Sequence, residues 1–555
     1  MELSESAKNL ISKYEIWQRH LKPEEGASTI HVDEVASKVA AFYEQIRTII
    51  DWKEEHLMRR SAVIRKLKRK FLDLEMNDFN TENMAEPLVM ELIRGGYFSN
   101  DKIEESKIQN VQKIIEKYVF ILKENKQSKK SPAKSGKMTS SSLDRGASKT
   151  GLLFYSKLIE IAACEIEEAL APSIKEMALI DFMFSKMQER IKVSEAIYQK
   201  GLLKPEQKDI QIYIAIQQSL FKLDSPIIRY NLLKYKYPYW DNPSPEDLLK
   251  IAKNIGNILE AIENDLNHPL ARKFYAICEK YDTPYLLLGD ILSKGELEKI
   301  RQDMQEPPLL EQMLRSAYLK RLADLKRKIR RAAVYSTASI FITKILSLLV
   351  LEIILAKAFG GQIGFLILTA DVLIPTFLMA FLVTSIKPPS MKNLNLAIME
   401  TMKIVYKKER IDVYEIKIDK KRSILARFFF WLIYLAGAFV SIGFLYWVLS
   451  FFQFPVTSIV INIIFIALIL FAGNVIKARG KELTIEEEKE GIFGFLSDIL
   501  FLPVTGIGRW LSNKWKKYNA FTAFFNALID MPFSAFVEFL ERWRYFIKEK
   551  KEEIR

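Results

Sequence analysis

The chain contains, at residues 332–386, the almost entirely apolar stretch AAVYSTASIFITKILSLLVLEIILAKAFGGQIGFLILTADVLIPTFLMAFLVTSI. A second apolar stretch covers residues 428–476. Each is long enough for two crossings, because one helical span needs about 20 apolar residues. The 331 residues before the first stretch are highly charged and have helical periodicity. The sequence therefore predicts an all-α, polytopic membrane protein with four transmembrane helices in two hairpins and a large helical head.

Positive charge is unevenly distributed around the two hairpins. The tips at Gly360 and Pro455 have almost no charge, whereas the loop 387–427 and the segment after Ile476 are rich in lysine and arginine. Basic loops remain in the cytoplasm, so we expect a multi-pass protein with both termini cytoplasmic. The net charge of +14 agrees with this, and a nucleic-acid-binding surface is the alternative.

The cysteine content and the N-terminus favour the same compartment for the head. Cys164 and Cys278 are the only cysteines, which suits a reducing environment. The first residues lack the basic and apolar regions of a signal peptide. We therefore expect the head to remain on the side of synthesis.

A lysine- and serine-rich stretch at residues 125–150 is predicted to be a disordered linker that divides the head into two helical domains, 1–124 and 151–331. The first domain has a short coiled-coil-like seam, which fits an intramolecular hairpin or a dimer contact. Its apolar positions are Val32, Val35, Val39, Phe42, Ile46 and Ile49. In the second domain, Ser244 and Pro245 predict a helix start, and a loop with Tyr239 and Trp240 fits either core packing or a binding surface.

The C-terminal residues 477–555 are predicted to form amphipathic helices at the cytoplasmic membrane surface. Within them, residues 491–508 are apolar except for Asp498, and we interpret this part as re-entrant or interfacial rather than as a fifth span. Its Pro503 and its glycines are expected to break a spanning helix. The candidate contacts with the bilayer and its anionic headgroups are Trp510, Trp515, Lys516, Lys517, Phe525, Phe536 and Trp543.

Three ionisable residues lie inside the predicted spans: Lys344, Glu352 and Asp371. Charges at such depth are costly unless they are paired or face water. In a hairpin that turns near Gly360, Asp371 lies at a depth between those of Lys344 and Glu352. The sequence therefore favours a Lys344–Asp371 ion pair that holds the hairpin together, and a proton or ion path is the alternative.

No catalytic, nucleotide-binding or metal-binding motif is found, so we expect neither enzymatic activity nor a cofactor. The four histidines have no ligand spacing. The favoured function is a non-catalytic, membrane-anchored scaffold or membrane-organising protein that presents the head to a protein partner. The alternative is a transporter, channel or insertase-like conduit that uses the buried charges. Nucleic acid or the ribosome is a less favoured partner.

Overall fold

The computed structural model describes most of the chain, and all structural statements refer to these residues: 2–19, 28–32, 38, 55–76, 83–130, 143–352, 354, 364–406, 412–418, 423–486, 492–518, 536, 539, 542, 543, 546, 547 and 550. Their regular secondary structure is helical apart from two three-residue strands, which confirms the all-α class. Most of the predicted coiled-coil seam lies outside the described residues, although Val32 is buried.

The described helices of the head range from 5 to 28 residues in length. In chain order they are α1 (Glu5–Arg19), α2 (Glu55–Met76), α3 (Ala85–Arg94), α4 (Ser106–Lys130), α5 (Leu143–Leu170), α6 (Ile174–Arg190), α7 (Glu195–Gln199), α8 (Pro205–Leu220), α9 (Ser225–Lys236), α10 (Pro245–Leu266), α11 (Ala271–Lys280), α12 (Thr283–Leu292) and α13 (Leu297–Asp303). Strand β1 (Ile191–Val193) follows α6. At the predicted start of α10, the Ser244 hydroxyl accepts a hydrogen bond from the Asp247 backbone N–H at 3.2 Å.

The head has one hydrophobic core, which includes residues from both sides of the predicted linker. At its centre Lys117 of α4 forms an ion pair with Glu165 of α5, and its Nζ donates to the Trp240 carbonyl at 2.9 Å. Tyr118 donates to the same glutamate at 2.8 Å. Trp240 is 1% exposed and therefore belongs to the core, whereas the neighbouring Tyr239 is 48% exposed.

The helices on either side of the predicted linker share this core. Helix α4 continues to Lys130, and α5 already begins at Leu143, so both ends of the predicted disordered linker are helical. The two helices pack on each other, and α4 also packs on α10. Residues 131–142 of that linker lie outside the described residues.

The membrane region contains α14 (Pro307–Ser347), which ends in a π-helical turn (Leu348–Glu352), and then α15 (Phe365–Thr384), α16 (Met391–Val405), strand β2 (Tyr414–Ile416), α17 (Ile424–Phe451), α18 (Val456–Gly480) and α19 (Ile492–Tyr518). Four of the described helices are long and apolar enough to cross a membrane, and they are α14, α15, α17 and α18. The predicted four spans are therefore confirmed, and the protein is a multi-pass membrane protein. Helix α14 continues from the head into the first span without a break.

The predicted basic loop 387–427 is not a simple loop. It contains α16, whose Leu394, Ala397 and Val405 are buried in the core of the head. It also contains β2, which pairs with β1 in parallel, with Ile191 opposite Tyr414. Most of the lysines and arginines of this segment flank α16 and β2, while the apolar face of α16 packs on α12 and α14.

The segment after α18 also joins the head. The Asn393 side-chain oxygen accepts hydrogen bonds from the backbone N–H groups of Ile485 at 3.0 Å and Glu486 at 3.1 Å. Leu483 and Ile485 belong to the same hydrophobic core as the head helices. The head is thus completed by chain segments that precede and follow the second hairpin.

Residues 492–508 form the first part of one continuous helix, α19, which runs through Pro503. It packs against both α17 and α18. Val504 is buried beside Ala467 near the middle of α18. A Cβ atom added at Gly508 would lie 2.1 Å from the Ala467 carbonyl oxygen, so glycine is required for this approach. The expected helix break is therefore wrong, because packing against two neighbouring helices outweighs the local effects of proline and glycine.

Candidate functional site

Three transmembrane helices bring together three buried polar side chains of the membrane region. Lys344 comes from α14, Asp371 from α15 and Asn462 from α18. Asp371 and Asn462 each lie six residues after the start of their helix, about 9 Å along the axis. Lys344 lies twelve residues, about 18 Å, beyond Ala332. The three side chains therefore meet at one depth, nearer the hairpin tips than the head.

The predicted ion pair is present. The Lys344 Nζ lies 2.8 Å from the Asp371 Oδ2, and the two side chains are 0% and 2% exposed. The Asn462 amide donates to the Asp371 Oδ1 and, at 3.0 Å, to the Ser458 carbonyl. Each carboxylate oxygen of Asp371 thus has a neighbour that stabilises its charge.

The remaining surroundings of the cluster are largely apolar. The Lys344 Nζ lies 5.1 Å from the centre of the Phe465 ring, a cation–π distance. Toward the hairpin tip, Leu449, Phe454 and Ile459 form a buried cluster against the first turns of α15. The positive and negative charges therefore compensate each other in a dry setting and connect the first hairpin to the second.

The sequence predicts the Lys344–Asp371 pair, and the structure adds Asn462 as a partner of Asp371. The useful signal is the equal distance of Asp371 and Asn462 from the starts of their helices. Glu352, the third predicted charge, ends the π-helical turn, and its side chain lies outside the described residues. Pro375 lies one turn after Asp371 and has no N–H to donate to the Asp371 carbonyl.

The predicted membrane-surface contacts are only partly described. Trp510 is 61% exposed on α19, and Phe536 and Trp543 are also exposed. Trp515, Lys516 and Lys517 belong to α19, but their side chains lie outside the described residues, as does Phe525 altogether. The exposed aromatic rings suit a lipid-facing position.

Among the described residues, no group of three His, Cys, Asp or Glu side chains has an arrangement that could hold a metal ion. The intramembrane cluster has a single carboxylate and is already neutralised by Lys344. Its chemistry is that of an ion pair with one amide hydrogen bond.

Comparison of the chain with protein-family models, with curated proteins and with solved structures found no match.

Proposed function

We propose that this protein is a non-catalytic, membrane-anchored scaffold with a cytoplasmic head that binds a protein partner. The observation that carries the proposal is the compensation of the intramembrane charges. Lys344 and Asp371 neutralise each other while almost fully buried. A structural pair needs this arrangement, whereas a conduit needs charged groups that are accessible to the transported species.

The connection between the head and the spans also supports an anchoring role. Helix α14 belongs to both parts, and α16 contributes to the head core directly after the first hairpin. Strand β2 and Ile485 add further connections. A head that is joined to the bilayer at several places holds its binding surface in a fixed orientation.

A surface of the head has the composition of a protein-binding face. A cavity of about 370 Å³ is lined by Tyr237, Tyr239, Lys250 and Ile258, among other residues. Tyrosine is enriched in interfaces because it has a large apolar ring and a polar hydroxyl group. The partner in this proposal is a protein that buries Tyr239.

Cross-linking in native membranes tests the scaffold role. The combined change Tyr239→Ala and Lys250→Ala should remove the cross-linked partner bands that the unmodified protein gives. The matched control changes Leu202 and Lys200, an exposed apolar and an exposed basic residue on another loop, to alanine. A pattern of bands that is identical in all three proteins would contradict this binding face.

A conduit is the second candidate, because a π-helical turn follows Lys344 and Pro375 leaves a carbonyl without its helical donor. Flux measurements in reconstituted vesicles separate the two functions. The scaffold proposal expects proton and potassium flux at the level of protein-free vesicles. Flux that depends on the protein and disappears in Asp371→Asn would establish the conduit instead.

A further inference from the structure

A basic cavity of about 470 Å³ lies where α14 leaves the head. One face of α14 forms a wall, the end of α12 with Lys294 forms a second, and Glu482 and Leu483 after α18 form the third. The Tyr318 hydroxyl lies 3.5 Å from the Leu483 carbonyl oxygen, which joins the third wall to α14. The volume is within the range of ligand sites in proteins.

The cavity has a surplus of positive charge. Its lining includes six lysine and arginine side chains and three carboxylates, a formal net charge of +3. The Arg321 Nη2 donates to the Asp290 Oδ1 at 3.1 Å. The Arg327 Nη2 lies 2.6 Å from the Asp324 Oδ1. These pairs use two of the three carboxylates.

Four cations of the lining have no carboxylate partner within the part of the chain that the structure describes: Lys294, Lys320, Lys328 and Arg331. All four are exposed. Arranging like charges around one cavity is unfavourable unless an anion reduces their repulsion. The cavity is therefore suited to an anion that has more than one negative charge.

The position of the cavity relative to the bilayer identifies the source of that anion. Arg331 directly precedes Ala332, the first residue of the apolar stretch, and Lys328 lies one helical turn before it. The headgroup layer begins at this level. Basic pockets beside transmembrane helices at this height bind the headgroups of anionic lipids.

We infer that this cavity binds the phosphate monoester headgroup of an anionic phospholipid in the leaflet that faces the head. Lys328 and Arg331 contact the phosphate, while Lys294 and Lys320 add to the positive field further from the bilayer. A monoester has a charge of about −1.5 to −2 at neutral pH, which matches the surplus of the cavity better than a diester. The inference rests on the membrane embedding of α14 and not on the scaffold role, so either can fail alone.

Native mass spectrometry of the purified, delipidated full-length protein tests the site with added phosphatidic acid or phosphatidylcholine. The test variant is Lys328→Gln with Arg331→Gln. The matched control is Lys326→Gln with Arg330→Gln, which removes the same two charges at the same level of α14 but about 150° around the helix. All four positions are exposed and glutamine is a good helix former, so both proteins should fold.

The unmodified protein should prefer phosphatidic acid to phosphatidylcholine, and the test variant should bind phosphatidic acid about 30-fold more weakly. That factor corresponds to about 2 kcal/mol, from about 1 kcal/mol for each removed charge. The control should stay within about threefold of the unmodified protein, and Lys328→Arg should retain the affinity.

Three results would overturn the inference. Equal losses of affinity for phosphatidic acid in the test and control variants would mean that the lipid is attracted by the overall positive charge of α14 and not by this cavity. Equal binding of phosphatidic acid and phosphatidylcholine would exclude a phosphate monoester site. Inorganic phosphate or glycerol 3-phosphate that displaces the lipid at equal concentration would identify a soluble phosphate as the ligand.

Discussion

Removing one member of the Lys344–Asp371 pair should destabilise the membrane region strongly. The Nζ and Oδ2 atoms are 2.8 Å apart, and neither side chain has access to water in the folded protein. Lys344→Leu removes the cation beside the Asp371 carboxylate, and Asp371→Leu removes the carboxylate that compensates the Lys344 ammonium. Breaking a buried pair in this way costs about 3–5 kcal/mol.

Replacing both residues with leucine should recover most of that loss. Apolar side chains of similar volume in place of a buried pair are often neutral or stabilising. Asn462 then loses its acceptor on Asp371 but keeps the Ser458 carbonyl, and interhelical hydrogen bonds of this kind contribute about 0.6 kcal/mol on average. The double variant should therefore be within about 1 kcal/mol of the unmodified protein.

The measurement is the free energy of unfolding in mixed micelles for the four proteins of the cycle. A control cycle combines Lys344→Leu with Asn474→Leu, an exposed position on α18 far from the pair, and its effects should add. Additive losses for Lys344 and Asp371 would refute a structural ion pair. If the single variants also folded normally and lost ion flux, the conduit would replace the scaffold.

Three further outcomes are expected. Gly508→Ala should destabilise the protein by about 1–3 kcal/mol in a thermal melt, because its Cβ would lie 2.1 Å from a backbone carbonyl oxygen of α18. The control Gly443→Ala, which has open space around it, should be neutral or slightly stabilising. Asp282→Asn should flatten the pH dependence of the unfolding free energy, since burial raises the pKa of Asp282 to about 8. A cysteine at Gln453 should react with an impermeant maleimide on intact cells and one at Lys326 should not, because the hairpin tips are predicted to be outside.

The direction of the Asp282 effect follows from proton binding. The folded protein keeps the Asp282 proton up to about pH 8, whereas the unfolded chain loses it above its ordinary pKa of 3.8. The folded state is therefore favoured at low pH and loses about 1.4 kcal/mol per pH unit from this group between these limits. If the unfolding free energy of the unmodified protein changed with pH as steeply as that of Asp282→Asn and no more, a raised pKa of Asp282 would be contradicted.

In the labelling experiment, the two native cysteines should contribute little background reaction. Cys164 and Cys278 are both buried. Burial raises the pKa of the Cys164 thiol to about 12, so little of the reactive thiolate is present. Labelling at Lys326 and not at Gln453 would reverse the predicted orientation.

Much of the membrane region can be predicted from the sequence because its physical demands are local. Span length and the high cost of charge in lipid are properties of short segments, so the four spans and the Lys344–Asp371 pair follow from hydropathy and helical rise. Ser244 and Pro245 identify the start of α10 for the same reason. Each of these signals is contained within a few helical turns.

The features that the sequence did not predict depend on contacts between residues far apart in the chain. Helix α19 is continuous because α17 and α18 pack on it, and the close approach at Gly508 depends on a residue in another helix. Strand β2 is only three residues long and pairs with a strand more than 200 positions earlier. The single core of the head depends equally on contacts across the lysine-rich segment, and composition alone indicated a linker.

The way in which α16, β2 and Ile485 complete the head has a consequence for biosynthesis. When the ribosome has made the first 331 residues, the apolar faces that pack on α16 are still uncovered. Their partners emerge only after the first hairpin, and Ile485 only after the second. The head can therefore finish folding only on a chain whose hairpins have already been made. Until α16 and Ile485 have been made, the incomplete head exposes apolar surface to chaperones and proteases, and this exposure lasts through the synthesis of both hairpins.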